Sequence, residues 1–241
     1  MSEKDLVAKL KQRGYWKVQI CPRKYVENAY SYTELKEIVK KCRIGLRGWD
    51  YPHIDNQNTY NRAGYTESYC EHGYLIEYWR FYRSAKFIHL FGMREDGRTN
   101  PSERVLERFR DYAWNQTPPE GLRGLSILGC LYSLTEIFEY GMNLSKCGVL
   151  NSGADISLDL YGLQNRMLYF EESLRDLEKP YISLDNCLRM KISFDSGQHL
   201  IERGQESARN WFVEIAQQFQ WETPLVRFLV EEQNKFLEKR H

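Results

Sequence analysis

Between Leu122 and Met142 the chain is apolar at Leu122, Leu125, Leu128, Leu131, Leu134, Ile137, Phe138 and Met142. A helix apolar over so much of its circumference must be covered on several sides, so the rest of the chain has to supply layers around it. Glu136 and Glu139 interrupt the stretch, which makes it a buried helix and not a membrane span of about 20 nearly charge-free residues. Thr117-Pro118-Pro119-Glu120 reads as a capping box. The sequence therefore predicts one long helix from there to about Lys146, stopped near Gly148.

Strands supply the covering layers. Leu188, Met190, Ile192 and Phe194 alternate with Arg189, Lys191 and Ser193, the pattern of an antiparallel strand with one dry and one wet face. Ile156, Leu158 and Leu160 alternate in the same way, and a further strand is expected over 166–171. In the first half, strands are expected over 16–20 and 43–47, and an aromatic hairpin over 75–82 and 86–93. Helices are expected over 2–13, from the Ser31/Glu34 capping box to Cys42, after Asn100-Pro101, around Ala208–Phe219 and from Thr223-Pro224 onward. This order is not a βαβα alternation. The expected fold class is α+β, a mixed and largely antiparallel sheet or sheets packed against the long central helix and several shorter ones. Residues 1–241 are expected to form one unit, with an aromatic, β-rich lobe over 1–98 and a helix-rich lobe with a β-meander over 99–241.

Composition narrows the function classes. Lys and Arg number 34 against 33 Asp and Glu in 241 residues, so the global basic excess of a non-specific DNA binder is missing. The six cysteines contain no Cys-x-x-Cys pair. No metal site and no cofactor is expected, and reduced thiols fit a cytoplasmic setting. The first 14 residues lack the apolar core of a secretory signal, and no membrane association is expected. No G-x-G-x-x-G, P-loop, G-x-S-x-G or H-E-x-x-H motif occurs.

Chemistry concentrates in Trp49-Asp50-Tyr51-Pro52-His53-Ile54-Asp55. Carboxylates and an imidazole at a strand end can transfer protons. Asp50, His53 and His89 are the candidate catalytic residues, with Glu67, Glu71, His72 and Glu77 as further acids and imidazole in the same half. Each also has an ordinary structural role: Asp50 can cap its own turn, and either histidine can be a hydrogen-bonded, half-buried ring. The candidate binding residues are Arg47, Trp49, Trp79, Arg80 and Arg83, because arginines interleaved with aromatic rings suit a single-strand stacking surface. Arg80 and Arg83 could equally be solvated and paired with Glu77 or Glu71.

Ile44–Asp55, with its Arg-Gly-Trp-Asp-Tyr-Pro-His run, and Glu77–Phe91, with its Trp-Arg-Phe-Tyr run, together resemble a widespread group of bacterial proteins that carry both stretches in that order. The resemblance implies a bacterial, cytosolic origin and directs attention to 44–55 and 77–91. The expected function is a non-catalytic binding module for nucleic acid or a partner protein. The alternative is a hydrolase or nuclease with an Asp/His site on the 50–55 loop.

Overall fold

The computed structural model describes residues 3–97, 101–113, 115–171, 175 and 177–238. Seven strands form one antiparallel sheet in the order β2-β3-β4-β5-β1-β7-β9. They are β1 (Tyr15–Pro22), β2 (Thr59–Arg62), β3 (Tyr65–His72), β4 (Leu75–Tyr82), β5 (Phe87–Gly92), β7 (Ala154–Tyr161) and β9 (Cys187–Phe194). A second, two-stranded parallel sheet pairs β6 (Arg123–Ser126) with β8 (Arg166–Tyr169). Because β1 lies between β5 and β7, a single sheet joins strands from both halves of the chain.

One face of the large sheet carries Trp16, Val18, Ile20, Phe87, Ile156 and Leu158 in a common core with the helix α4 (Ile127–Lys146). Leu131, Leu134, Ile137 and Phe138 of α4 are fully buried, as their pattern requires. Beyond α4 lie α5 (Gly197–Gln218) and α6 (Val226–Leu237). On the opposite sheet face, Leu6 and Leu10 of α1 (Glu3–Lys11) cover Ile76 and Tyr78. The alternation in β9 holds: Met190 and Phe194 are buried, Leu188 and Ile192 pack partly buried on the core, and Arg189, Lys191 and Ser193 are exposed. Helix α2 (Tyr32–Cys42) begins at the expected box, with the Ser31 side chain accepting from the Glu34 N–H and the Glu34 carboxylate accepting in return.

Four local expectations need correction. Thr117 and Glu120 do not cap a helix, because α4 starts at Ile127 with Ser126 as its cap. The Pro118-Pro119 pair and Gly121, at φ +69°, break the run. Residues 123–126 instead form β6, where Gly124 lies so close to Tyr169 and Val105 that a Cβ would stand 2.6 and 2.7 Å from them. The strand expected over 43–47 is a single bridge between Ile44 and Tyr51. The strand expected over 166–171 leaves the large sheet and pairs in parallel with β6. Strands β2 and β3 have no counterpart in the sequence expectations, since Asn, Arg, Glu and Ser dilute their apolar signal. Helix α3 (Pro101–Tyr112) does start at its proline, while the expected cap Asn100 lies outside the described residues.

The cysteines are free among the described residues. Cys42 and Cys147 lie with sulfurs 3.3 Å apart, and burial pushes the Cys42 thiol up, with Cys147 adding to the effect. No helix among the described residues is long and apolar enough to cross a membrane.

Candidate functional site

Register places the site. In the β4/β5 hairpin Trp79 pairs with His89 and Glu77 with Phe91, so Glu77 and His89 are diagonal neighbours on the core face. His89 Nε2 lies 2.8 Å from Glu77 Oε2. The same carboxylate accepts from the Trp49 indole N–H at 2.7 Å and from the His53 backbone N–H at 3.5 Å. Trp79 donates its indole N–H to the His53 carbonyl at 2.6 Å. Glu77 and Trp79 thus pin the 48–55 loop, which contains a cis Tyr51–Pro52 bond, over the end of the hairpin. An acid buried in an aromatic strand is stable here because each oxygen meets a donor.

Between this loop, β4, β5, the 3₁₀ turn Arg94–Gly97 and the first turns of α4 lies a cavity of about 50 Å³, lined among others by Arg47, Tyr51, Glu77, His89, Arg94 and Glu95. That is room for a few waters or one small polar group. Arg47 forms a forked ion pair with Glu136 of α4 and also donates to the Ser133 hydroxyl at 3.3 Å. Arg94 has no ion pair among the described residues, and burial together with the nearby Arg47 charge pushes its guanidinium pKa down. Two buried polar atoms of cavity-lining residues have no partner among the described residues: the Tyr51 hydroxyl and His89 Nδ1. Their rings stand 4.9 Å apart. Burial raises the Tyr51 pKa, and the Glu136, Tyr140 and Glu77 charges add to it.

Glu95 is held at the start of α4, where its carboxylate accepts the Ser126 N–H at 2.9 Å. Burial raises its pKa more than the Ser126 hydrogen bond and the Arg166 charge lower it. Folding therefore favours the protonated acid. Its contribution is complete below the ordinary carboxylate pKa and is lost as pH rises through the raised folded value. Glu95→Gln, neutral at all pH, is expected to gain stability relative to wild type between pH 4 and pH 8, read as the difference in urea unfolding free energy. A difference that does not change with pH would show that Glu95 titrates normally.

The sequence candidates separate here. Asp50 and His89 line the same cavity, but Asp50 is salt-bridged to Arg43 at 2.9 Å. His53 reaches the cluster only through its backbone, and its ring stacks on Trp49 at 3.9 Å. Trp79 is 1% exposed, so its ring offers no face to a base. Arg80 lies between the rings of Tyr65 and Tyr78 and 3.8 Å from Glu67. Arg83 donates to the Tyr30 carbonyl and lies over Tyr32. The expected arginine–aromatic face is thus occupied internally. Tyr51, Arg94, Glu95 and Glu136 were missed as site residues. Glu136 carried a usable signal, because an acid inside the most apolar helix must have a buried cationic partner.

Among the described residues no group of three or more His, Cys, Asp or Glu side chains is placed to hold a metal ion. The fold and site define an α+β protein with a polar cavity at the seam of an antiparallel sheet and its central helix. No family model, curated protein or solved structure matches the chain.

Proposed function

We propose that this protein is a binding module whose recognition site is the cavity between the 44–55 loop, the β4/β5 hairpin and α4, and that it takes a small hydrogen-bonding group there. The observation that carries the reading is the pair of orphaned buried atoms, the Tyr51 hydroxyl and His89 Nδ1, on two cavity-lining residues whose ring centroids are 4.9 Å apart. Native proteins leave few buried polar atoms unpaired, and a buried hydroxyl without a partner costs about 1–3 kcal/mol. On this reading the missing partner arrives from outside. The six cysteines and the resemblance of 44–55 and 77–91 to bacterial proteins support a bacterial cytoplasmic setting. A protein or nucleic-acid partner would present such a group at a loop tip or chain end; the occupied arginines give little support to a strand lying across the hairpin.

Tyr51→Phe tests the reading. The variant is expected to be as stable as wild type or more so, by up to about 1–2 kcal/mol, and to lose the compounds that wild type binds in a ligand-observed NMR screen of small polar molecules. A clear loss of stability would show that the hydroxyl is permanently hydrogen-bonded by structural water, and would overturn the reading.

One observation favours the hydrolase alternative: Glu77 holds His89 by Nε2 and leaves Nδ1 free, the arrangement of a carboxylate-oriented general base. On that reading the acid–base pair is Glu77 and His89, with Asp50 and His53 outside it. Turnover that survives Asp50→Ala and disappears in Glu77→Gln would support it.

A further inference from the structure

Apart from this cavity the chain forms an open cleft of about 380 Å³, which shares Gln12, Arg13 and Arg123 with an adjoining hollow lined by Glu95 and Asp96. Its walls include Lys11, Arg13, Tyr15, Arg123, Tyr161 and Asn186, and no carboxylate is among its described lining residues. The volume lies within the roughly 300–1,000 Å³ of small-molecule sites. Three cations share it. Arg123 is only loosely neutralised, 3.5 Å from Asp96, whose Oδ2 is already engaged by the Arg166 guanidinium and the Gly14 N–H. Burial lowers the Arg123 pKa, and the neighbouring Arg166 charge lowers it further. Arg13 is half-buried. Neither Arg13 nor Lys11 has an ion pair or side-chain hydrogen bond among the described residues.

Several surface cations near the sheet are paired with acids. Lys17 pairs with Asp159, Lys191 with Asp155 and Arg23 with Asp195. The chain as a whole is nearly neutral, whereas this cleft gathers three cations and has no acid among its described lining residues. Its position is also fixed. Gly14 and Gly162 pack backbone to backbone, with a Cβ at Gly162 placed 2.8 Å from the Gly14 Cα, and the rings of Tyr15 and Tyr161 stack with centroids 4.7 Å apart. Arg13 precedes Gly14, and Arg123 donates to the Gly162 carbonyl at 3.4 Å. Two arginines from distant parts of the chain are therefore held at the mouth of one cleft beside a stacked tyrosine pair.

We infer that this cleft is an anion site for the phosphate of a small phosphorylated ligand, independent of the cavity beneath Tyr51. Guanidinium groups match phosphate oxygens in a forked geometry, and Lys11 adds a mobile ammonium. Tyr15 and Tyr161 add aromatic surface to the cleft that a planar ring attached to the phosphate can contact. A nucleoside monophosphate or free pyrophosphate would satisfy the same cations, and the two are distinguished by experiment.

Isothermal titration of the full chain at low salt, with adenosine monophosphate, pyrophosphate and adenosine as separate probes, tests the site. Phosphate-bearing probes should bind, adenosine should not, and added salt should weaken binding. Adenosine monophosphate binding more tightly than pyrophosphate assigns a nucleotide, and the reverse assigns a free polyphosphate; both support the site. Arg13→Gln and Lys11→Gln remove side chains that hold no partner among the described residues, so both should fold as wild type and each should weaken binding about five-fold. Arg123→Gln should weaken it at least as much. Tyr51→Phe should leave it unchanged, which separates failure here from failure of the cavity reading. Absence of binding by both phosphate probes, or affinity unaffected by Arg13→Gln and Lys11→Gln, would overturn the inference. So would a single-stranded oligonucleotide binding far more tightly than the mononucleotide through Arg13, since the ligand would then be a nucleic acid.

Discussion

Asp96→Ala is expected to destabilise the protein by about 3–5 kcal/mol. Arg166 is 0% exposed, and its guanidinium is held by the Gly162 carbonyl at 2.6 Å, the Gly124 carbonyl at 2.7 Å and the Asp96 carboxylate. Asp96 is the only anion among these three partners. Its Oδ2 also accepts the Gly14 N–H at 2.7 Å and lies 3.5 Å from Arg123. One carboxylate thus ties the 3₁₀ turn to β8, to the entry of β1 and to β6. Removing it strands a positive charge in a place water does not reach, and unpairs a backbone donor. Asp96→Asn should cost less, because its amide oxygen can still accept from one donor. For a chain of this size the alanine variant should melt roughly 6–20 °C lower. Asp96→Leu combined with Arg166→Met should recover much of the loss, since replacing both partners removes the buried charge altogether. A loss below about 1 kcal/mol for Asp96→Ala would mean that Arg166 is hydrated in solution.

Glu77→Ala should cost about 3 kcal/mol and release the 48–55 loop from the hairpin. Glu77 is 5% exposed and receives the Trp49 indole and the His53 backbone N–H while holding His89 Nε2. Without it, two part-buried donors and a buried imidazole nitrogen lose their partner, and an unpaired buried group costs about 1–3 kcal/mol. Water entering the enlarged cavity can recover part of that sum. Equilibrium urea unfolding should show the loss, and Trp49 emission should shift to the red as the indole becomes hydrated. Glu77→Gln should lie between, because the amide oxygen still accepts from one donor. His53→Ala should cost less than about 1 kcal/mol, since its ring contributes stacking on Trp49. Equal losses for His53→Ala and Glu77→Ala would show that stacking, and not the carboxylate, holds the loop.

These two residues mark where local pattern stops being informative. The Ser31/Glu34 cap, the alternation of β9, the hairpin over residues 75–93 and the burial of α4 could be read from the sequence, because each depends on residues a few positions apart. The start of α4 could not. Thr117 and Glu120 have cap spacing, yet the parallel pairing of β6 with β8, over 40 residues away, takes 123–126 into a strand. Glu77 was visible as a carboxylate near His89, but its role came from hairpin register and from the loop folded over it. The alternative of Arg80 or Arg83 paired with Glu77 or Glu71 is decided in the same way: strand positions alternate faces, so Glu77 points to the core while Arg80 meets Glu67 on β3. Composition fixed the overall charge balance, but only tertiary packing decided where charge is neutralised. It buried Arg166 on Asp96 and Arg47 on Glu136, occupied Arg80 and Arg83, and gathered Lys11, Arg13 and Arg123 in a cleft with no acid among its described lining residues. Periodicity reports which side of an element is dry; which distant polar groups meet there depends on register and chain crossing, and those are set by the packing of the whole chain.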